Sequence, residues 1–169
     1  ERICTLALTP RYKPVVDRIC CFRGFKAQAA MVIATELGDL RRFENPRQLM
    51  AYVGLVPSEH SSGDRRRLGA ITKAGNARVR HILIQAAWHY RKRPAVGAPL
   101  RRRQSGQDPD VICHAWKCQH RLYTLFHRLA VKKPTPVAAT AAARELVGFL
   151  WAILRDIDVS KLREVRAAA

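Results

Sequence analysis

Ser61 and Ser62 stand side by side before Gly63 in the segment PSEHSSGDRRRLGAITKAGNARVR (residues 57–80), and Asp64 is followed by Arg65, Arg66 and Arg67. A serine hydroxyl attacks a phosphodiester well only when its proton can leave and the charge developing on the phosphate is stabilised. Guanidinium groups meet the second need: their planar forks hold non-bridging oxygens bidentately and offset the added negative charge of the transition state. Arg65, Arg66, Arg67, Lys73 and Arg78 are close enough in sequence to form such a clamp, and Asn76 joins them as a candidate phosphate-binding position. Gly63 leaves room for a sugar-phosphate backbone and tolerates positive φ, and Gly69 and Gly75 are further structural loop glycines. Glu59 and His60 are candidate proton acceptors. Taken alone, SSGD is more often an exposed turn than a catalytic centre.

Charge argues for a polyanionic partner. Thirty-one Lys and Arg against 13 Asp and Glu give a net charge of +18 over 169 residues, and 12 basic residues but one acid lie between His60 and Arg103. A domain this basic repels itself unless it spends time beside a polyanion, so DNA or RNA is the expected partner. An anionic membrane surface fits poorly, because no basic amphipathic helix with bulky apolar residues stands out. No run reaches the roughly 18 apolar residues of a membrane span, and no stretch with a basic start and an apolar middle reads as a signal peptide. These points predict a cytoplasmic, nucleoid-associated protein with no membrane partner.

Other chemistry finds less support. The five cysteines, Cys4, Cys20, Cys21, Cys113 and Cys118, include no CxxC pair, and Cys113, His114, Cys118 and His120 match no common zinc spacing. Buried structural thiols and no bound metal are expected. Asp108 and Asp110, like Asp156 and Asp158, read as caps and turn residues rather than a two-metal pair.

The elements that must hold the serine segment are helical. Pro14 opens a short helix over 14–22, and Ala27–Leu37 is a second, ended by Gly38. The turn Arg23-Gly24-Phe25 between them is similar to a helix-hairpin-helix, in which Gly24 and Lys26 would meet phosphate; a plain helical hairpin in the core explains the same residues. Asn45 and Pro46 start another helix that Gly54 ends. Asn76 caps an amphipathic helix in which Val79, Ile82, Leu83, Ala86 and Tyr90 recur at three and four. Residues 93–109 read as a basic loop, 111–131 as a long helix and 137–154 as a last one. The expected fold is mainly α: a compact helical domain with a helix-hairpin-helix-like element and a long C-terminal helical pair. Its divisions are a lead-in (1–13), a domain (14–155) and a tail (156–169). Within the domain lie the hairpin (14–38), a serine-bearing basic loop (57–75) and a helical bundle (76–155).

GLVPSEHSSG followed by RRLGAITKAGNARVR resembles the C-terminal domain of the DEDD-type, bridge-RNA-guided insertion-sequence transposases of bacteria. FRGFKAQAAMVIATELGDLRRFENPRQLMAYVGL, AWHYR (87–91), AWKCQHRL (115–122) and ARELVGFLWAI (143–153) extend the likeness over nearly all of residues 14–155. The resemblance implies a serine recombinase, with Ser62 rather than Ser61 forming a covalent phosphoserine link to DNA. It also implies a guide RNA, a homo-oligomer of the full-length protein, and Mg²⁺ bound by an N-terminal RNase-H-like DEDD domain. That domain is absent from these residues, which open without a methionine. A fragment that binds nucleic acid but is catalytically incomplete alone is therefore expected, with no cofactor of its own. Lys26 stands where a helix-hairpin-helix usually has a second glycine. The alternatives are a non-catalytic nucleic-acid-binding module and a helical scaffold; the scaffold leaves the basic 60–103 window unexplained.

Overall fold

A computed structural model describes residues 2–62 and 65–157, with the backbone alone for 60–62 and 65–68. The chain runs through α1 (Arg2–Ala7), α2 (Lys13–Cys20), α3 (Ala27–Leu37) and α4 (Pro46–Tyr52) to a hairpin of β1 (Pro57–Ser62) and β2 (Arg65–Ile71). Then come α5 (Ala77–Ala87), a 3₁₀ turn (Trp88–Arg91), α6 (Ala98–Gln104), α7 (Pro109–Ala130) and α8 (Thr135–Leu154). The fold is mainly helical, as the apolar periodicity predicts.

The core is organised around α8. Its first half buries Ala138, Ala139, Ala142 and Ala143, whose small side chains let neighbouring helices come close. Its second half buries Leu146, Val147, Leu150, Ile153 and Leu154. α7 lies along it, with α5 and α4 also against it, while α2 and α1 pack on α3. Among the described residues, α8 has the length and apolar composition to cross a membrane, yet half of that stretch is buried inside the fold. Arg144 and Glu145 also interrupt its apolar run.

Two segments depart from expectation. The basic loop expected over 57–75 is, over most of its length, an antiparallel hairpin that pairs His60 with Arg67, Ser61 with Arg66 and Ser62 with Arg65. Its strands carry polar residues on both faces, so the apolar alternation that normally reveals a strand is missing. The other departure is α6, within the basic loop expected over 93–109. Pro99 lies in its first turn, and Leu100 and Gln104 turn inward on one face.

A two-stranded ribbon is marginal by itself, and this one is secured at its base. Gly54, after α4, and Gly75, before α5, cross at close range with φ of +70° and +79°. A methyl at Gly54 would overlap the carbonyl oxygen of Ala74, and one at Gly75 would overlap that of Tyr52. Backbone bonds stitch the crossing: Lys73 N–H to Gly54 O (3.2 Å), Thr72 N–H to Val56 O (2.9 Å) and Asn76 N–H to Tyr52 O (3.4 Å). The Arg80 guanidinium adds bonds to Val53 O (3.0 Å) and Ala74 O (3.3 Å). Gly75→Ala should therefore cost about 4 kcal/mol or more in urea denaturation, since rigid backbone must move. Gly106→Ala, at positive φ but in open space, should cost only about 1–2 kcal/mol. Equal losses would show that the crossing has no special rigidity.

Candidate nucleic-acid interface

The hairpin register separates the two serines. Side chains alternate between the faces of a strand, and directly paired positions share a face. Positions 60, 62, 65 and 67 thus fall on one face of the ribbon, and 59, 61, 66 and 68 on the other. Ser62 shares its face with Arg65, Arg67 and His60; Ser61 shares the opposite face with Arg66 and Glu59. Position 66 thus takes the opposite face of the ribbon from positions 62, 65 and 67. Gly63 lies outside the described residues. Gly69 sits within β2 and lines a groove of about 330 Å³ between the hairpin and α8, whose floor includes Leu55, Ile71, Val137 and Ala141.

Asn76 and Arg78 have structural partners. Asn76 Oδ1 accepts from Val79 N–H (3.0 Å), capping α5, while Asn76 Nδ2 donates to Glu36 Oε2 (2.8 Å). Arg78 Nη1 reaches Glu36 Oε1 at 3.3 Å, leaving most of its side chain in solvent. One carboxylate on α3 thereby orients both residues that follow the Gly75 crossing. Lys73 adopts a φ of +55°, unusual for a residue with a side chain, and is exposed. Three of the sequence candidates thus gather where the hairpin enters α5.

Gly24 and Lys26 lie apart from that cluster, at the α2–α3 turn. Gly24 has a φ of +92°, and a methyl there would press on Ala86 O and Cα at 2.8 and 2.9 Å. Exposed Lys26 occupies the N-cap position of α3 without a side-chain cap, so the first N–H groups of that helix lack one. A groove of about 520 Å³ opens there, and its cationic or titratable lining is Arg23, Lys26, His89 and Arg103, with no acid. Such a lining, beside a helix N-terminus, suits an anion. Sequence spacing did not connect Arg103 or His89 to this turn; α6 and the 3₁₀ turn after α5 bring them in.

Not every arginine is available to a ligand. Arg23 Nη1 donates to Lys92 O (3.1 Å) and Arg93 O (2.8 Å). Arg103 Nε donates to Cys20 O (3.0 Å), and Arg18 Nη1 to Ile153 O (2.6 Å). These cations hold carbonyls that the helix ends and loops leave open.

Burial pushes the Cys20 and Cys21 thiols up to about 11, and it pushes Cys118, bonded to the buried Tyr90 hydroxyl, further in the same direction. Cys4 and Cys113 are exposed, contrary to the expectation that all five thiols are buried. Among the described residues no three His, Cys, Asp or Glu gather as metal ligands.

The fold and this site define a basic helical domain that seats a polar hairpin rigidly and carries cations on two surfaces. Residues 16–101 match the family model described as the transposase IS116/IS110/IS902 family. The chain belongs to that family. It is 46% identical over 143 residues to a Sinorhizobium fredii protein named as a transposase, y4qE, covering 84% of this chain and 37% of that one. It is 33% identical over 139 residues to a family 20 transposase of Pseudomonas aeruginosa, covering 82% and 35% respectively. Over 71 residues it is 39% identical to the transposase for insertion sequence element IS1111A of Coxiella burnetii, covering 42% of this chain and 20% of that one. The chain thus spans about a third of the length of the first two relatives.

Two outcomes follow from these environments. A thiol reagent at neutral pH should label Cys4 and Cys113 quickly, and Cys20, Cys21 and Cys118 only after denaturation; mass mapping of the labelled sites checks this. Burial lowers His89, with Arg23 and Lys92 adding to the effect. It also lowers His114, whose Nε2 meets Phe149 O at 3.2 Å. Below about pH 6.5 the unfolded chain binds more protons at these sites than the folded one. Their stabilisation is thus fully present above that pH and is lost as the pH falls through the lowered folded values. The melting midpoint should drop between pH 7 and pH 5, and less steeply in His114→Gln.

Proposed function

We propose that this chain is the serine-bearing catalytic part of an insertion-sequence transposase acting on DNA, with Ser62 as its nucleophile. The observation that carries this reading is the hairpin register, which gives Ser62 a face shared with Arg65, Arg67 and His60, on a ribbon fixed by the Gly54–Gly75 crossing. Ser62 Oγ attacks a DNA phosphorus atom. One P–O bond forms to the serine, one ester P–O bond breaks, and the departing sugar oxygen takes a proton. The serine proton passes to a base, for which His60 is the candidate on the same face. Arginines hold the non-bridging oxygens while the phosphorus is five-coordinate. Attack by a different sugar hydroxyl reverses the step, frees the serine and joins the new strands, so no nucleoside triphosphate is needed.

The likeness to bridge-RNA-guided transposases extends this reading to a guide RNA and to a homo-oligomer of the full-length protein. A DEDD domain would bring Mg²⁺, and no step above passes through it. Family membership and the net charge of +18 support nucleic acid as the partner. The acid-free groove at Gly24 and Lys26 also suits a second reading, a module that binds nucleic acid without reacting.

Adduct formation decides between them. In the full-length protein, Ser62→Ala should abolish the covalent protein–DNA adduct and lower recombination by roughly 10³-fold or more, with DNA binding retained. Ser61→Ala, on the other face, should recombine within a few-fold of wild type. An adduct that persists in Ser62→Ala overturns the catalytic reading and leaves the binding module.

A further inference from the structure

The outer side of α7 carries a row of rings that neither the hairpin nor the α2–α3 groove uses. Trp116, His120, Tyr123 and His127 recur at i, i+4, i+7 and i+11, which keeps them on one stripe of the helix. They meet in pairs: the Trp116 and His120 centroids are 4.5 Å apart at 77°, and those of Tyr123 and His127 are 4.4 Å apart at 56°. Trp116 is 40% exposed, and both histidines are exposed.

Cations run beside the stripe. Lys117 and Arg128 are exposed and have no acidic partner among the described residues. Arg121 is fixed by a two-pronged pair with Glu145, Nε–Oε2 2.8 Å and Nη2–Oε1 3.0 Å. Trp116, Lys117, His120, Arg121 and Thr124 together line an open depression. At its far end the row meets the exposed segment Arg91-Lys92-Arg93, because His127 Nε2 lies 2.9 Å from Arg91 O.

A lone exposed tryptophan on a soluble protein needs no explanation. Four rings in register beside unpaired cations do, and a chain of net charge +18 favours a polyanion over another basic protein. Ring faces recognise base faces, which a duplex hides in its stack and a single strand presents, while the cations track its phosphates. We propose that the Trp116–His127 row of α7 is a stacking platform for unpaired bases of a nucleic-acid strand, with Lys117 and Arg128 beside its phosphates. This inference rests on nucleic acid being the partner, and not on Ser62 being a nucleophile.

The test compares a short labelled oligothymidine with a duplex of equal length, titrated with the 169-residue chain and followed by fluorescence anisotropy. Trp116→Ala should weaken oligothymidine binding by about 5- to 100-fold and leave duplex affinity unchanged, while Trp116→Phe should keep most of the affinity. Lys117→Ala should lower the salt slope by about 0.7. Melting curves establish that each variant is folded. If wild type binds oligothymidine and folded Trp116→Ala matches it, the platform is refuted. The same holds if Trp116→Ala only turns a dimer into a monomer in sedimentation, which assigns the row to a second copy. If wild type binds neither probe, the nucleic-acid reading itself fails along with the platform.

Discussion

The arrangement depends on a place where two stretches of backbone pass closer than side chains allow. Gly54 and Gly75 sit on either flank of the hairpin, and each turns its empty Cβ position toward a carbonyl of the opposite stretch. Because both are glycine, the chain leaves α4, runs out along β1, returns along β2 and re-enters α5 through a single knot of hydrogen bonds. A hairpin with strands of arginine and serine has almost no apolar area with which to hold itself together. Its rigidity is imported from the bundle through that knot, through Arg80, and through Ile71, which packs against the core.

The same economy governs the positive charge. A count of arginines treats all of them as partners for phosphate, but the fold divides them. Arg18, Arg23, Arg80 and Arg103 donate to backbone carbonyls across long sequence separations, acting as staples between elements that share little apolar contact. Arg42 lies over Phe43 and Tyr52, with centroid distances of 4.6 Å. Lys13 and Arg41 pair with Asp17 and Asp39, and other cations stand at the hairpin, around the Lys26 groove and along α7. On the proposed nucleic-acid reading, a substitution among the staples would lower binding by unfolding the scaffold, whereas one among the others would weaken the electrostatic contact directly. Loss of binding in an arginine scan thus has two physical origins, which stability measurements separate.

Most of the helical framework was legible in the residues. Wide apolar stripes at Val79, Leu83 and Ala86 and at Ala115, Cys118, Leu122 and Leu125 can be buried only on helices, and Asn45, Asn76, Gly38 and Gly54 mark their ends. The hairpin was not legible, because period-two patterning is visible only when one face is apolar, and both faces here are polar. The run at 101–103 masked α6 in the same way, since its buried face consists of Leu100 and Gln104 alone. Among the candidate residues, position 66 takes the opposite face of the ribbon from position 62, and Asn76 caps α5 and bonds Glu36. His89 and Arg103 reach the Gly24 turn only through tertiary packing, which spacing along the chain does not encode.

Net charge ties these features to one another thermodynamically. The cations left free by the fold repel across a domain of modest size, and that repulsion is present in the folded state more than in the expanded one. A polyanion bound to the folded chain relieves it and adds the stabilisation that any ligand selective for the native state confers. The alanine-rich first half of α8 and the glycine crossing are what permit so basic a chain to close up beforehand: they create close helix contacts and a fixed hairpin from residues that bring no charge. On the proposed reading, a polyanion would then meet an existing surface rather than organise one.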